Sequence, residues 1–253
     1  MTTSIKSSEQ NSREYYDEFA KVYDDRRGNS VPFGYHDLLD ELETSLVERF
    51  GSQRDILEVG CGTGLIMQRV AKFARRVHGV DLSPGMLAHA QARGLDVTQG
   101  SATQLPFSDG EFDVTYSFKV LAHVPDIELA LSEMARVTRP GGMILAEFYN
   151  PYSIRGLLRH LGPAKQIGQS KKEADVFTRF DSPSRARALT PRGCHFEGAR
   201  GIRIVTPAAQ LIDMKGIGRL FYATERLLAD SPLSVCAGFY VAQYRKAERD
   251  AEK

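Results

Sequence analysis

The stretch "DILEVGCGTG" (residues 55–64) places a short apolar run directly before three glycines at alternate positions. The run predicts a buried β-strand, because its residues are mainly apolar and partly β-branched. Glycine takes positive φ and lets a ligand approach bare backbone, and a helix after such a turn offers unpaired N–H groups and the positive end of its dipole. The stretch therefore predicts a turn, built on Gly60, Gly62 and Gly64, that holds a polar, partly anionic small molecule.

Short β-rich runs recur along the chain as far as Tyr149. The five runs are "DILEV", "RVHGVD", "LDVTQG", "FDVTYSF" and "MILAEFY", the last after an expected turn at "RPGG". Mostly apolar strands that recur after a dozen or more residues pair in parallel through right-handed crossovers, with helices on both faces. Two further runs, "GIRIVTP" and "VCAGFYVAQYRK", flank an amphipathic helix around "IGRLFYATERLLAD" and are consistent with antiparallel neighbours at the sheet edge. The prediction is an α/β fold with a doubly wound, mostly parallel, seven-stranded sheet.

The 253 residues suit a single domain with distinct parts. We expect a frayed polar tail at 1–12, N-terminal helices at 13–51, a ligand-binding core at 55–149, an excursion over the sheet at 150–190, and edge strands with a helix at 191–253. The first helix, "REYYDEFAKVYDDR", puts its aromatic side chains largely on one side, and the second ends on a glycine.

Composition excludes several classes of protein. With 42% hydrophobic and 26% charged residues, the chain is typical of a globular domain rather than of a disordered one. No stretch reaches the roughly 20 apolar residues of a membrane span, and the first residues lack the apolar segment of a signal peptide. The three scattered cysteines indicate neither a disulfide framework nor a metal site, so a reducing cytoplasm fits best.

Charge is unevenly distributed although the net charge is only +1. Residues 150–203 contain eleven Lys or Arg against four acids, a local balance of +7, which leaves −6 for the rest. A solvated basic face explains this excess, and an acidic ligand, nucleic acid or an anionic membrane surface are the alternatives. No nucleic-acid-binding motif accompanies it.

The spacing of the glycines limits the choice of ligand. The dinucleotide fingerprint G-x-G-x-x-G fails in both frames, since it would need glycine at Leu65 or at Met67, and no phosphate-binding G-x-x-x-x-G-K-[ST] loop is present. An acid nevertheless ends the second expected strand, at Asp81 in "HGVDLS". In folds of this kind a carboxylate at that position binds the hydroxyls of a ribose.

Five blocks in register resemble the class I S-adenosylmethionine-dependent methyltransferases, particularly the branch of the ubiquinone and menaquinone biosynthesis enzymes. The blocks are "YYDEFAKVYD", "DILEVGCGTG", "VDLSPGMLAHA", "GSATQLPFSDGEFDVTYS" and "LAHVPDIELALSEMARVTRPGG", over about residues 15–150. The resemblance implies a Rossmann-like methyltransferase sheet with an N-terminal helical lid and a cap after the fifth strand. It also implies S-adenosylmethionine as the cofactor and a small-molecule acceptor.

The resemblance assigns a set of residues to the cofactor: the glycine turn to its methionine part, Glu58 to the turn or the ammonium, Asp81 to the ribose. Leu82 and Met86 would pack on the adenine, although for Met86 a place in the core explains the pattern equally well. The full implied set is Tyr23, Glu58, Gly60, Cys61, Gly62, Gly64, Asp81, Leu82, Met86, Ser101, Ala102, Gln104 and Ser117.

One position departs from the family pattern. Where the family commonly has an acid to accept from the adenine amino group, this chain has Ser101. A hydroxyl accepts a hydrogen bond without charge assistance, so weaker adenine recognition, or a backbone substitute, is expected.

The sequence gives weaker signals for the acceptor site than for the cofactor site. His123, in "SFKVLAHVPD" after the fourth strand, is the candidate general base, and the alternative is a packing or cofactor-contacting histidine. The resemblance places the aromatic residues Tyr15, Tyr16 and Phe19 in a lid over the cofactor, with a packed helix face as the alternative. It places the segment from Tyr149 to Arg179 in a substrate cap. There Arg155, Arg159 and Arg179 are candidates for binding an anionic acceptor.

The favoured function is methyl transfer to oxygen in a small molecule, with carbon and nitrogen acceptors, including a lipid-like quinone, left open. A non-catalytic S-adenosylmethionine-binding protein is the alternative from another class. A nicotinamide-dependent oxidoreductase is disfavoured by the glycine spacing, and a nucleic-acid methyltransferase by the lack of an acceptor-base motif. The acceptor and the choice between monomer and homodimer are left open.

Overall fold

A seven-stranded sheet forms the centre of the computed structural model, which describes residues 2–27, 34–153, 177–206, 209–212, 214 and 216–248. The strands, β1 to β7 in chain order, are Asp55–Val59, Arg76–Asp81, Val97–Gln99, Phe112–Ser117, Thr138–Tyr149, Cys194–Ile202 and Phe239–Lys246. Their spatial order is β3-β2-β1-β4-β5-β7-β6. The order therefore reverses between β1 and β4, where the strand ends leave a crevice.

Seven α-helices lie in the described part of the chain. They are α1 to α7 in chain order: Thr2–Arg27, Tyr35–Gly51, Leu65–Val70, Pro84–Ala92, Ile127–Val137, Pro183–Ala188 and Ile217–Leu228. Side-chain caps fix several starts, as where Asp126 accepts from the backbone N–H of Leu129 at 3.1 Å at the start of α5.

Pairing in the sheet confirms the predicted doubly wound, mostly parallel arrangement. Strands β1 to β5 pair in parallel, and β7 runs antiparallel between β5 and β6. The last two strands are thus antiparallel neighbours at the edge, as their sequences suggested.

Apolar side chains on both faces of the sheet build two cores. Adjacent residues of β1 point to opposite faces: Ile56 packs with Leu46 of α2, and Leu57 packs with Leu131 of α5. Both sides of a central parallel strand are covered, so the strand is apolar throughout rather than alternating.

Two expected element boundaries are wrong. Helix α1 extends the predicted helix by eleven residues toward the N-terminus, so the segment 1–12, expected as a polar tail, is helical from Thr2. The strand expected at "GIRIVTP" ends at Ile202, and β6 lies earlier. The reason is that the backbone N–H groups at 204–206 donate to the carboxylate of Glu225 at 2.8–2.9 Å, so no neighbouring strand can use them.

Two smaller differences concern turns. The expected turn "RPGG" lies inside β5 as an irregularity, since Thr138 pairs with Phe112 and Met143 with Val114, and Gly141 has φ +74°. The last strand begins at Phe239, because Pro232–Cys236 form a 3₁₀ turn. Most of the expected excursion, 154–176, falls outside the described residues. In the part of the chain that is described, every helix is too short or too polar to cross a bilayer.

Candidate functional site

A cavity of about 630 Å³ opens at the carboxyl ends of β1, β2, β4 and β5, beneath α1. Its first part, the glycine-turn end, comprises residues 58–62, Asp81, Leu82, Met86 and residues 100–102. Its second part, the aromatic end, comprises Tyr15, Tyr16, Phe19, His123, Tyr149 and Phe180. The predicted site residues that line it are Tyr15, Tyr16, Phe19, Tyr23, Glu58, Gly60, Cys61, Gly62, Asp81, Leu82, Met86, Ser101, Ala102, His123 and Tyr149.

The three glycines of the turn have different tasks. All have positive φ, at +80°, +53° and +83° for Gly60, Gly62 and Gly64. A Cβ on Gly60 would lie 2.2 Å from a methyl carbon of Val120, whereas one on Gly62 would meet no atom within 4 Å. Gly60 is thus needed for packing, and Gly62 leaves its backbone bare toward the cavity.

Gly64 does not line the cavity. It precedes α3 in the left-handed conformation, and a Cβ there would lie 2.2 Å from a methyl carbon of Leu95. Its place in the motif is explained by the close approach of α3 to the segment after α4.

Asp81 links the turn to the next helix. One carboxylate oxygen accepts from the N–H of Gly62 at 2.8 Å, and the other accepts from the N–H of Ser83 at 2.9 Å. Burial raises the pKa of this carboxyl, against the lowering effect of those hydrogen bonds. A carboxylate has about four acceptor positions, so Asp81 can still accept from a ligand.

The walls beside Asp81 are mainly apolar. Leu82, Met86 and Ala102 line the cavity together with Ser101, whose hydroxyl pairs with that of Thr103 at 2.8 Å. Gln104 is exposed and lies off the cavity.

Glu58 is buried beneath the glycine turn. Its carboxylate accepts from the hydroxyl of Tyr116 at 2.9 Å, and burial raises its pKa to about 8. Ser117, in contrast, is off the cavity: its hydroxyl donates to the backbone carbonyl of Val59 at 2.8 Å, so it joins β4 to β1.

Cys61 contributes backbone rather than thiol chemistry. Its buried side chain packs with Met67 and Leu87, and burial raises its pKa. All three cysteines of the chain are free thiols.

His123 closes the 3₁₀ turn after β4 and faces the aromatic end. Its Nδ1 lies 3.0 Å from the carbonyl oxygen of Phe177 and 3.2 Å from the hydroxyl of Thr178. Because the carbonyl can only accept, we assign the proton to Nδ1, which leaves the lone pair of Nε2 for another donor. Burial lowers the pKa of the imidazole, so the neutral form persists near pH 7. The ring contacts Tyr16 and Tyr149 at centroid distances of 6.3 and 5.8 Å.

Aromatic side chains from distant segments form the rest of this end. On α1, Tyr15 stacks on Phe19 at 5.6 Å, and Phe19 contacts Tyr23 at 5.5 Å. Across the cavity, Tyr149 contacts Phe180 at 6.2 Å. Burial raises the pKa of Tyr149, which therefore stays a neutral phenol.

Of the three arginines expected in the cap, Arg155 and Arg159 fall outside the described residues. Arg179 does not line the cavity, since its guanidinium binds both oxygens of Asp181 at 2.7 and 2.9 Å. An acceptor would have to compete with that carboxylate for it.

Helix α1 is tied to the glycine-turn end by two acids. Asp17 accepts from the hydroxyl of Ser83 at 2.6 Å and from the N–H of Gly85 at 2.8 Å. Asp24 accepts from the hydroxyl of Thr63 at 2.8 Å and from Arg93 at 2.5 Å. The helix thus covers the cavity from a defined position.

Sequence reasoning missed the two cations on the cavity wall, Arg27 and Lys119. Arg27 donates to Asp40 at 2.6 Å, and Lys119, at φ +61°, pairs with the buried Glu43 at 2.5 Å. Both pairs join segments distant in sequence, and no local spacing signals them. Phe180 was missed for the same reason.

Comparisons with known proteins agree with this geometry. Residues 57–146 match the family model described as a methyltransferase domain. The chain is 43% identical over 138 residues to the demethylmenaquinone methyltransferase of Mycobacterium marinum, covering 51% of this chain and 59% of that protein. It is 33% identical over 152 residues to the malonyl-[acyl-carrier protein] O-methyltransferase of Serratia marcescens, covering 57% and 58% respectively.

A solved structure extends the likeness in fold to most of the chain. It is an S-adenosylmethionine-dependent methyltransferase of Thermotoga maritima, with TM-score 0.63, 22% identity and coverage of 92% of this chain and 99% of that one. The chain spans less than two thirds of the length of the curated relatives it matches, from 38% to 59%.

Proposed function

We propose, from the match of residues 57–146 to the methyltransferase-domain family, that the chain is an S-adenosylmethionine-dependent methyltransferase that methylates a hydroxyl group of a small-molecule acceptor. S-Adenosylmethionine supplies a methyl group on a positively charged sulfur, which a nucleophile takes by in-line displacement. The chain's task is to hold this donor, align the acceptor and receive the acceptor's proton.

The glycine-turn end fits the donor. The bare backbone at Gly62 and the free lone pairs of Asp81 suit a polar ligand with two neighbouring hydroxyls. The apolar side chains of Leu82, Met86 and Ala102 suit a flat ring. Arg27 is the candidate partner for the donor's carboxylate, because it brings a cation to the same cavity.

At the aromatic end, we assign the base role to His123. Its Nε2 would accept the hydroxyl proton as the acceptor oxygen forms its bond to the methyl carbon, and Nδ1 keeps its proton on the Phe177 carbonyl. The neighbouring rings of Tyr16 and Tyr149 exclude water from this position. The single observation that supports oxygen as the acceptor atom is the contact of Nδ1 with the Phe177 carbonyl, because it leaves Nε2 of a cavity-lining histidine as a neutral base for a hydroxyl.

The acceptor is expected to be largely apolar, since six aromatic rings border that end. The basic excess of residues 150–203 supports an anionic group on it, and Arg179 would bind that group only by leaving Asp181. A cytoplasmic location remains part of this proposal.

An acceptor screen with His123→Gln tests the base role. Hydroxylated small molecules are incubated with S-adenosylmethionine, and S-adenosylhomocysteine formation is followed for the wild type, His123→Gln and the control His195→Gln, whose side chain is exposed on β6. The proposal expects O-methyl products and a loss only in His123→Gln. Turnover confined to amines or to carbon acids, or full activity of His123→Gln on a hydroxyl, would contradict it.

A further inference from the structure

Exposed apolar side chains are concentrated in the C-terminal part of the molecule. Eleven large apolar side chains are exposed in the described ranges, and nine of them lie between residues 152 and 235. The others are Val22 on α1 and Leu129 on α5. This part is also the cationic part, with 14 Lys or Arg against 7 Asp or Glu over residues 150–235, while the rest of the chain has a balance of −6.

Helix α7 contributes a stripe of three of these side chains to this surface. Ile217, Leu220 and Leu227 are 50%, 68% and 80% exposed, and their spacing places them on one side of the helix. The charges beside the stripe are cationic: Arg219 and Arg226 are exposed, although Arg226 also pairs with Glu41 at 3.1 Å. The single acid of α7, Glu225, is buried.

The turn after α7 lies against the end of β5, whose last residue, Tyr149, lines the cavity. Leu233 and Val235 are exposed in the 3₁₀ turn that follows α7. The amide of Asn150 donates to the Val235 carbonyl at 2.8 Å, and its oxygen accepts from the N–H of Tyr152 at 3.0 Å. Tyr152 is exposed, as is Phe180 on the cavity wall.

We propose that Ile217, Leu220, Leu227, Leu233, Val235 and Tyr152 form a C-terminal apolar face that docks reversibly on an anionic phospholipid surface. Aliphatic side chains on one side of a helix, with arginine beside them, are typical of helices that lie in a membrane interface, and an aromatic side chain suits its headgroup level. The cationic balance of this part of the chain complements anionic lipid. Docking in this way would bring the cavity mouth to the lipid and does not depend on which atom is methylated.

Vesicle co-sedimentation of the full chain tests the proposal. Vesicles of phosphatidylglycerol and phosphatidylcholine in equal parts should retain the wild type at low salt, and pure phosphatidylcholine vesicles should retain less. The variant Leu220→Glu/Leu227→Glu should bind at least about tenfold more weakly. Arg219→Gln should lower binding to anionic vesicles by a factor of about five. The matched control Leu129→Glu, at a 45% exposed position on α5, should bind as the wild type does.

Three results would overturn the assignment. The first is no retention of the wild type on anionic vesicles at low salt. The second is equal retention of the wild type and of a double variant whose melting temperature shows that it is folded. The third is a vesicle-free dimer, measured by light scattering, that the double variant dissociates, because this would assign the face to a second copy of the chain.

Discussion

The two ends of the cavity are built in opposite ways. The glycine-turn end is formed by backbone and side chains of one stretch of the chain, residues 58–102, and hydrogen bonds such as that from Gly62 to Asp81 at 2.8 Å hold it together. The aromatic end is formed by side chains from α1, the turn after β4, the end of β5 and Phe180, and ring contacts with centroid distances of 5.6–6.3 Å dominate it. Donor binding is therefore specified locally, and acceptor binding is specified by the fold.

The largest effect is expected at the aromatic end, in turnover alone. His123→Gln should lower kcat by about 10²- to 10⁴-fold, the usual contribution of a general base, and leave S-adenosylhomocysteine affinity unchanged. Because burial lowers the pKa of His123, wild-type kcat should be constant near neutral pH and fall only at acidic pH, as Nε2 becomes protonated. Stopped assays across pH measure both. Loss of donor binding in this variant would show that the two ends are not separable.

A similar test at the glycine-turn end should affect binding rather than turnover. Asp81→Asn should weaken S-adenosylhomocysteine binding about 100-fold, because the amide cannot accept from both Gly62 and Ser83 and removes charge-assisted bonds to the ribose. Calorimetry measures this affinity. Asp96→Asn is the control, since Asp96 is exposed and lies at the amino end of β3, whereas the cavity opens at the carboxyl ends of the strands. Unchanged S-adenosylhomocysteine affinity of Asp81→Asn would show that Asp81 does not bind the donor.

Substitutions of Gly60 and Gly62 should distinguish a packing role from a ligand-binding role within one turn. Gly60→Ala should lower the free energy of unfolding by about 2–3 kcal/mol, because its Cβ meets Val120 at 2.2 Å. Gly62→Ala should lower it by about 1 kcal/mol, the cost of positive φ, and should weaken donor binding disproportionately. Urea unfolding and calorimetry on both variants check the difference. Equal losses of stability in the two variants would contradict the difference in packing between Gly60 and Gly62.

The smallest effect concerns Glu147, a buried residue of β5 whose carboxyl group accepts from the backbone N–H of Lys119 at 3.0 Å. Burial raises the pKa of Glu147 to about 8, so the folded state holds a proton that the unfolded state releases above about pH 4.5. Stability should therefore fall as pH rises from 5 to 8, and Glu147→Gln should reduce that fall by at least about 1 kcal/mol. Urea unfolding at both pH values measures it, with the exposed Glu128→Gln as the control. A fall of the same size in both variants would exclude Glu147 as its source.

Much of the fold could be predicted from the sequence, because its decisive signals are local. The apolar run before Gly60 identifies the first strand, and Asp81 marks the end of the second. Parallel pairing follows from the number of residues that separate successive strands. The strand β6 was missed because "CHFEGARGI" contains two glycines and alternates in burial, whereas the more apolar segment after it donates its N–H groups to Glu225.

The candidate site could be predicted only in part. Membership of a motif does not distinguish a residue that faces the ligand from one that packs behind it, which is why Gly64, Gln104 and Ser117 lie off the cavity. The pairing of Lys119 with Glu43 joins residues 76 positions apart, and only the packing of α2 on the sheet brings them together.

A crystal structure with S-adenosylhomocysteine tests the central claim most directly. The account predicts the ribose hydroxyls within hydrogen-bonding distance of Asp81, the adenine between Leu82, Met86 and Ala102, and the sulfur at the boundary between the two ends of the cavity, facing His123. A ligand bound elsewhere, or one whose ribose does not contact Asp81, would contradict it.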